Sequence, residues 1–143
     1  MEIRSAQSTD FENIRELLSQ LGWASRVADA NKFEKMMQKT SRSAVAVEAG
    51  RVLGFARGVC DEVSNGYISM VAVATERQGQ GIGRRLIDYL LGDDRDITWV
   101  LRAGRGSPGF WEKMGFKPSA VAMERVRRSQ KSPGSATDRG AFP

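Results

Sequence analysis

Residues 70–85, MVAVATERQGQGIGRR, run an apolar strand into a loop with three glycines and then straight into a helix. Leu86, Ile87, Leu90 and Leu91 recur at helical spacing and give a helix from about Gly81 to Leu91 one buried face. A strand that hands over to an amphipathic helix so abruptly commits the chain to layered α/β structure. Glycine in the loop lets backbone N–H groups approach a bulky anion with no Cβ in the way. The helix start adds unpaired N–H donors and a partial positive charge. Arg84 and Arg85 stand in the first turn, where acidic residues are the norm, and a bound anion would relieve that mismatch. Phosphate binding is the physical reading of this segment.

The elements on either side complete a mixed order. Glu2–Arg4 reads as a short edge strand. Thr9 to Glu12 spells a capping box, followed by Phe11, Ile14, Leu17, Leu18 and Leu21 at helical spacing and by Gly22 as a stop. A second helix is expected from about Val27 to Gln38, with Phe33, Met36 and Met37 as a core-facing stripe. The period then changes: Ala44–Val47 is a strand, Ala49-Gly50-Arg51 a tight turn, and Val52–Cys60 its antiparallel partner. Tyr67–Ala74 forms the strand before the glycine loop. Beyond the loop and its helix come a strand at Asp96–Arg102, a flexible loop at Gly104–Pro108, a short helix at Gly109–Met114 and a final strand at Val121–Val126. Residues 1–127 therefore read as one domain. Residues 128–143 read as a disordered basic tail, rich in Ser, Gly and Pro and without a core-forming pattern.

Composition narrows the chemistry. Among 143 residues there is no histidine and one cysteine, Cys60. Ser-His-Asp and Cys-His machinery is excluded, as are histidine-ligated metal and structural zinc, so no metal is expected. A lone strand cysteine reads as a small apolar residue in a reducing compartment. No apolar run approaches the roughly 20 residues that span a bilayer, and the amino-terminal stretch lacks a secretory signal. A cytoplasmic protein with no membrane partner is expected. The net charge of +5 favours anionic partners. The basic run Arg125–Lys131 has no aromatic interleaving and reads as a solvated terminus, so no nucleic-acid partner is expected.

Three phosphate-binding patterns compete for the glycine loop. A Walker loop needs Gly-Lys-Ser/Thr, and Gly83 is followed by Arg84-Arg85. The dinucleotide fingerprint starting at Gly79 or Gly81 would put its third glycine on Arg84 or Leu86. What fits is Q/R-x-x-G-x-G/A, met by Gln78, Gly81 and Gly83. This segment resembles the pyrophosphate-binding signature of the GCN5-related N-acetyltransferases (GNAT). Gly109-Phe110-Trp111-Glu112-Lys113-Met114-Gly115-Phe116 resembles the family's later F-Y-E-K-L-G-F element, and the element order over residues 2–127 is similar as well. Leu53–Arg57 with Asp61, Asn65 and Ile68 is loosely similar to a chloroplast and cyanobacterial branch associated with arylalkylamine and protein-lysine acetylation.

The resemblance implies a mixed, mostly antiparallel sheet splayed at an acetyl-CoA cleft and flanked by about four helices. It implies that the backbone of Val71, Ala72 and Val73 holds the pantetheine arm and acetyl group. Gln78, Gly79, Gln80, Gly81, Ile82, Gly83 and Arg84 would hold the pyrophosphate. Acetyl would pass from acetyl-CoA to a primary amine of a small molecule or peptide, by direct attack. Relatives of this kind commonly pair as homodimers.

Two residues depart from that pattern. Trp111 stands where the family carries its acidic tyrosine, and no asparagine lies near Gly104. Indole yields no useful proton, so Trp111 reads as packing or as an acceptor-site wall. These departures leave open an acyl-CoA-binding relative with little turnover, acting as a regulator. For an active enzyme the candidates to carry a proton are Tyr67, which opens the central strand, and Asp61 and Glu62, which end the strand before it. Asp61, Glu62 and Asp29 hint at a cationic acceptor, and Trp23, Trp99 and Trp111 at an aromatic one. Tyr89 reads as structural.

Overall fold

A computed structural model describes residues 1–104 and 107–128. The expected disorder of the tail falls almost wholly on residues 129–143, outside the described residues, as do two positions of the 104–108 loop. Five strands, β1 (Glu2–Arg4), β2 (Arg42–Glu48), β3 (Arg51–Cys60), β4 (Asn65–Val73) and β5 (Thr98–Leu101), form one sheet in sequence order. The first four pair with one another antiparallel. β5 alone runs parallel to β4, because the connection between them is a crossover through α4 (Ile82–Leu91). Ala49 and Gly50, with φ of 49° and 74°, join β2 to β3 in a two-residue turn whose left-handed geometry matches strand twist.

Helices cover both faces. α1 (Phe11–Leu18), α2 (Ala24–Val27) and α3 (Ala30–Gln38) pack on one face through Ile14, Leu18, Val27 and Phe33 against Val45, Phe55, Met70 and Ala72. α4 and α5 (Pro108–Lys113) cover the other through Leu86, Ile87, Leu90 and Trp111 against Ala56, Ile68, Val71 and Val73. Alternation along the strands sorts these two sets, as the period of two requires.

Several boundaries differ from the sequence reading. α1 does not start from a Thr9 cap. The chain enters it through a tight turn at Ser8–Asp10, where the buried Asp10 carboxylate accepts from Gln7 N–H at 2.7 Å and from the Arg4 fork at 2.7 and 2.9 Å. A carboxylate with a guanidinium outcompetes a threonine hydroxyl for that role. The single second helix is instead two, because Asp29 adopts extended geometry and its Oδ1 caps Asn31 and Lys32 N–H, each at 3.0 Å. Gly22, with φ of 95°, ends the first helical run inside a wide turn at Ser19–Trp23. Phe33, Met36 and Met37 do face the core. The expected final strand at Val121–Val126 does not form: Val121 is 88% and Met123 97% exposed. Its alternating apolar residues have β-propensity but no neighbouring strand to pack on, and propensity expresses little else.

Candidate active site

β4 carries the site, because its pairing changes midway. Its first residues, Asn65–Ile68, pair with β5 on one side and β3 on the other. After Ile68 the β5 pairing stops, while β3 continues to pair through Val73. At that point β4 bulges, since Arg57 faces Met70 but the next residue, Gly58, faces Ile68, leaving Ser69 as the extra residue. From there, among the described residues, no strand pairs with the other edge of β4, which is vacant in that sense. Ala74 N–H donates to Leu53 O on β3 at 2.8 Å. Alternation then turns the backbone groups of Val71 and Val73 the other way, toward the vacant edge. The Gln78 side chain confirms the direction, donating through Nε2 to Val73 O at 3.0 Å.

The glycine loop closes over that edge. Gly79 and Gly81 have φ of 79° and 81°, a conformation that side chains disfavour, and an added Cβ at either meets nothing within 4 Å. The requirement for glycine there is conformational, and the space beside the loop is open. Gly81 is the N-cap of α4 and supplies no side-chain cap, so the first N–H groups of the helix lack side-chain partners. Arg84 and Arg85 are exposed beside them. Arg77 ties the loop to the β2–β3 hairpin through Glu48 at 2.7 Å and bonds Gln80 at 2.9 Å; Arg51 and Glu76 pair alongside. Unspent helix donors, open space, two arginines and an unpaired strand edge together suit an extended ligand with a diphosphate at one end.

The three proton-carrying candidates are not brought together. Asp61 lies in the β3–β4 turn, where its carboxylate accepts from Val63, Ser64 and Asn65 N–H and from the Ser64 hydroxyl, at 2.6 to 3.0 Å. Those bonds hold it well below the usual carboxylate range, the Ser64 hydroxyl contributing most. Glu62 is gripped by Arg42 at 2.7 Å, which lowers its pKa too. At 3.3 Å per residue, this turn stands about 13 Å along the strand from the bulge. Tyr67 does lie at the parting, one residue before β5 leaves, on the face opposite Ile68. Burial raises its pKa.

Of the residues read as acceptor hints, Asp29 is the cap of α3, and Trp23 and Trp111 are buried. Trp111 packs edge-to-face on Phe110 and Phe116, with centroids 4.9 and 5.3 Å apart, so it acts as packing and not as a wall. Trp99 lies over Gly58 and Gly66 beneath Arg42. Tyr89 bonds Ser5 Oγ at 3.1 Å, and Cys60 Sγ accepts from Glu62 N–H at 3.2 Å. Sequence reasoning missed Arg57, which only the sheet register places on the same face as Tyr67.

The family defined as the acetyltransferase (GNAT) domain matches residues 39–118, which take in the strand, the loop and both following helices. The chain belongs to the GNAT family. Members transfer acetyl from acetyl-CoA. This GNAT chain is similar to an uncharacterised ycf52-like N-acetyltransferase of Prochlorococcus marinus, 29% identical over 115 residues, covering 77% of this chain and 64% of that relative. It thus spans less than two thirds of that relative's length. In fold it is similar to a GNAT acetyltransferase of Streptococcus pneumoniae (TM-score 0.72, 21% identity, 90% and 98% coverage of the two chains). It is also similar to an acetyltransferase of Trypanosoma brucei (0.69, 26%, 88% and 99%). A third likeness is to the glucosamine-6-phosphate N-acetyltransferase of Arabidopsis thaliana (0.70, 18%, 87% and 97%). No helix among the described residues is long and apolar enough to cross a membrane.

Proposed function

We propose that this protein transfers acetyl from acetyl-CoA to the primary amine of a small molecule, by direct attack within a ternary complex. The observation that carries the reading is the coincidence, on one strand, of a bulge, a vacant edge and an uncapped helix start. Acetyl-CoA supplies an acetyl thioester whose carbonyl carbon is open to attack by a neutral amine. Gly79 to Arg84 receive the diphosphate on backbone N–H groups, and the vacant edge of Val71–Val73 receives the pantetheine arm as an added strand would be received. The N–H of Val71 points into the parting, where it polarises the thioester carbonyl and stabilises negative charge on its oxygen. Gln78 serves the loop itself, through its bond to Val73 O.

Tyr67, in preference to Asp61 and Glu62, handles the proton. Its raised pKa keeps it a phenol at neutral pH. It works as a relay, taking the amine's proton on its oxygen as it gives its own to the departing thiolate. The carboxylates of Asp61 and Glu62 have their lone pairs committed to the turn and to Arg42.

Calorimetric titration with acetyl-CoA tests the reading. The wild-type protein is expected to bind in the micromolar range, and Gly81→Glu, which puts negative charge beside the helix start, is expected to bind about 100-fold more weakly or not at all. Wild-type protein that ignores acetyl-CoA would overturn it.

A further inference from the structure

The two glycines that the loop before α4 holds in left-handed geometry are also the residues freest to leave it, since glycine adopts many conformations. An added Cβ at Gly79 or Gly81 would touch nothing, so packing at those positions does not restrain them. The restraint comes from their neighbours. Gln78, just before Gly79, donates to Val73 O at 3.0 Å. Gln80 stands between the two glycines and is exposed, yet its Oε1 accepts from Arg77 Nε at 2.9 Å. The same guanidinium donates through Nη1 to Glu48 Oε2 at 2.7 Å. One arginine fork thus joins the middle of the loop to the end of β2.

The hairpin is built to receive that fork. Glu48 and Arg51 are partners across the β2–β3 register, and Glu76 and Arg77 are consecutive in the loop. Glu48 pairs with Arg77 and Arg51 with Glu76, so two opposite-charge pairs cross from hairpin to loop. A lone exposed ion pair contributes little, but a network of charges with a fork at its centre fixes a geometry. Two acids and two bases also leave the cluster neutral, so it adds no net charge to attract an anion. Its effect on the loop is one of shape. A loop held in its bound shape before the ligand arrives spares the ordering cost of binding. Resting on the acetyl-transfer reading, we propose that Arg77, clamped by Glu48, is the positioning residue of the diphosphate loop, and that this clamp sets the preference for acyl donors that carry a diphosphate over thioesters that do not.

Glu48→Ala separates shape from charge. It removes a negative charge beside an anion-receiving loop, so electrostatics alone would tighten acetyl-CoA binding, whereas a lost clamp weakens it. By calorimetry, Glu48→Ala and Arg77→Met are each expected to bind acetyl-CoA about 5-fold more weakly than wild type, the scale of an exposed charge-assisted hydrogen bond. Arg77→Lys, which keeps the pair with Glu48 but not the fork, is expected to lie between. S-acetylpantetheine, a thioester with no diphosphate, should bind every variant as it binds the wild type, and that titration certifies each variant as folded. Unchanged or tighter acetyl-CoA binding by Glu48→Ala, or equal losses for both thioesters, overturns the clamp. ADP, a diphosphate with no acyl arm, is titrated alongside. Wild-type protein that ignores acetyl-CoA but binds ADP, more weakly once Glu48 or Arg77 is replaced, would count against acetyl transfer alone. Binding of neither would overturn both.

Discussion

At its first residues β4 is held from every side. β3 and β5 pair with it, the Asp61 carboxylate gathers the turn that precedes it, and the Trp99 ring lies against Gly66 with Arg42 above, 5.3 Å from the ring centroid. Arg42 also reaches the carbonyls of Leu90 and Leu91 at 2.9 and 2.7 Å, tying the end of α4 to the same corner. At its last residues β4 keeps one neighbour, and the loop beyond presents N–H donors without side-chain partners. One strand thus has a saturated end and an open end. The saturated end fixes where the strands part, and the open end leaves polar groups for a ligand to satisfy. Fold stability and ligand recognition are separated along about 25 Å of a single strand, at 3.3 Å per residue.

That separation can be broken by experiment. The largest expected effect lies at the boundary: Tyr67→Phe should lower kcat by about 100-fold while leaving acetyl-CoA affinity unchanged, the scale of a lost proton-transfer group. An unchanged kcat would remove Tyr67 from the chemistry. Next comes Gly66→Ala at the saturated end. An added Cβ there would stand 2.5 Å from Trp99 Cζ3, so the ring must shift, and a loss of about 2 kcal/mol of stability is expected by urea unfolding. Its acetyl-CoA affinity should stay within a few-fold of wild type; a large loss would show that the two ends are coupled.

The smallest effect concerns Asp61. Its folded pKa is depressed by the turn's hydrogen bonds, so its contribution is present above the unfolded value of about 3.9 and is lost as pH falls below it. Asp61→Asn should therefore be less stable than wild type at pH 7, with the gap narrowing below about pH 4. Thermal midpoints from pH 7 to pH 2.5 measure this, and a gap independent of pH would contradict the assignment.

The sequence disclosed the open end far better than the parting of the strands or the acceptor side. Gln78, Gly81 and Gly83 lie within six residues, so their spacing alone announces a loop and a helix start. Elements with a full apolar face, such as α1 and α4, were equally legible. The parting of β4 from β5 was not, because it depends on a one-residue bulge at Ser69 that alternation along a single strand does not reveal. The acceptor side was hidden for a different reason. Arg57 and Tyr67 come from β3 and β4, and only the sheet register sets them on one face. Acidic Asp61 and Glu62 pointed to a cationic guest, yet the fold commits both inside the turn and to Arg42. The strand pattern at Val121–Val126 misled because a pattern cannot supply the neighbour that it needs.

The alternation along β4 would be written into its amide hydrogen exchange. Ala72 and Ala74 turn their N–H groups toward β3, and Ala74 has its acceptor in Leu53 O. Val71 and Val73 turn theirs to the vacant edge. In deuterated water the four consecutive amides should therefore exchange at alternating rates, slow for the even positions and fast for the odd ones. Acetyl-CoA would slow only the fast pair, so a two-residue rhythm in a single strand would report occupancy of the cleft amide by amide.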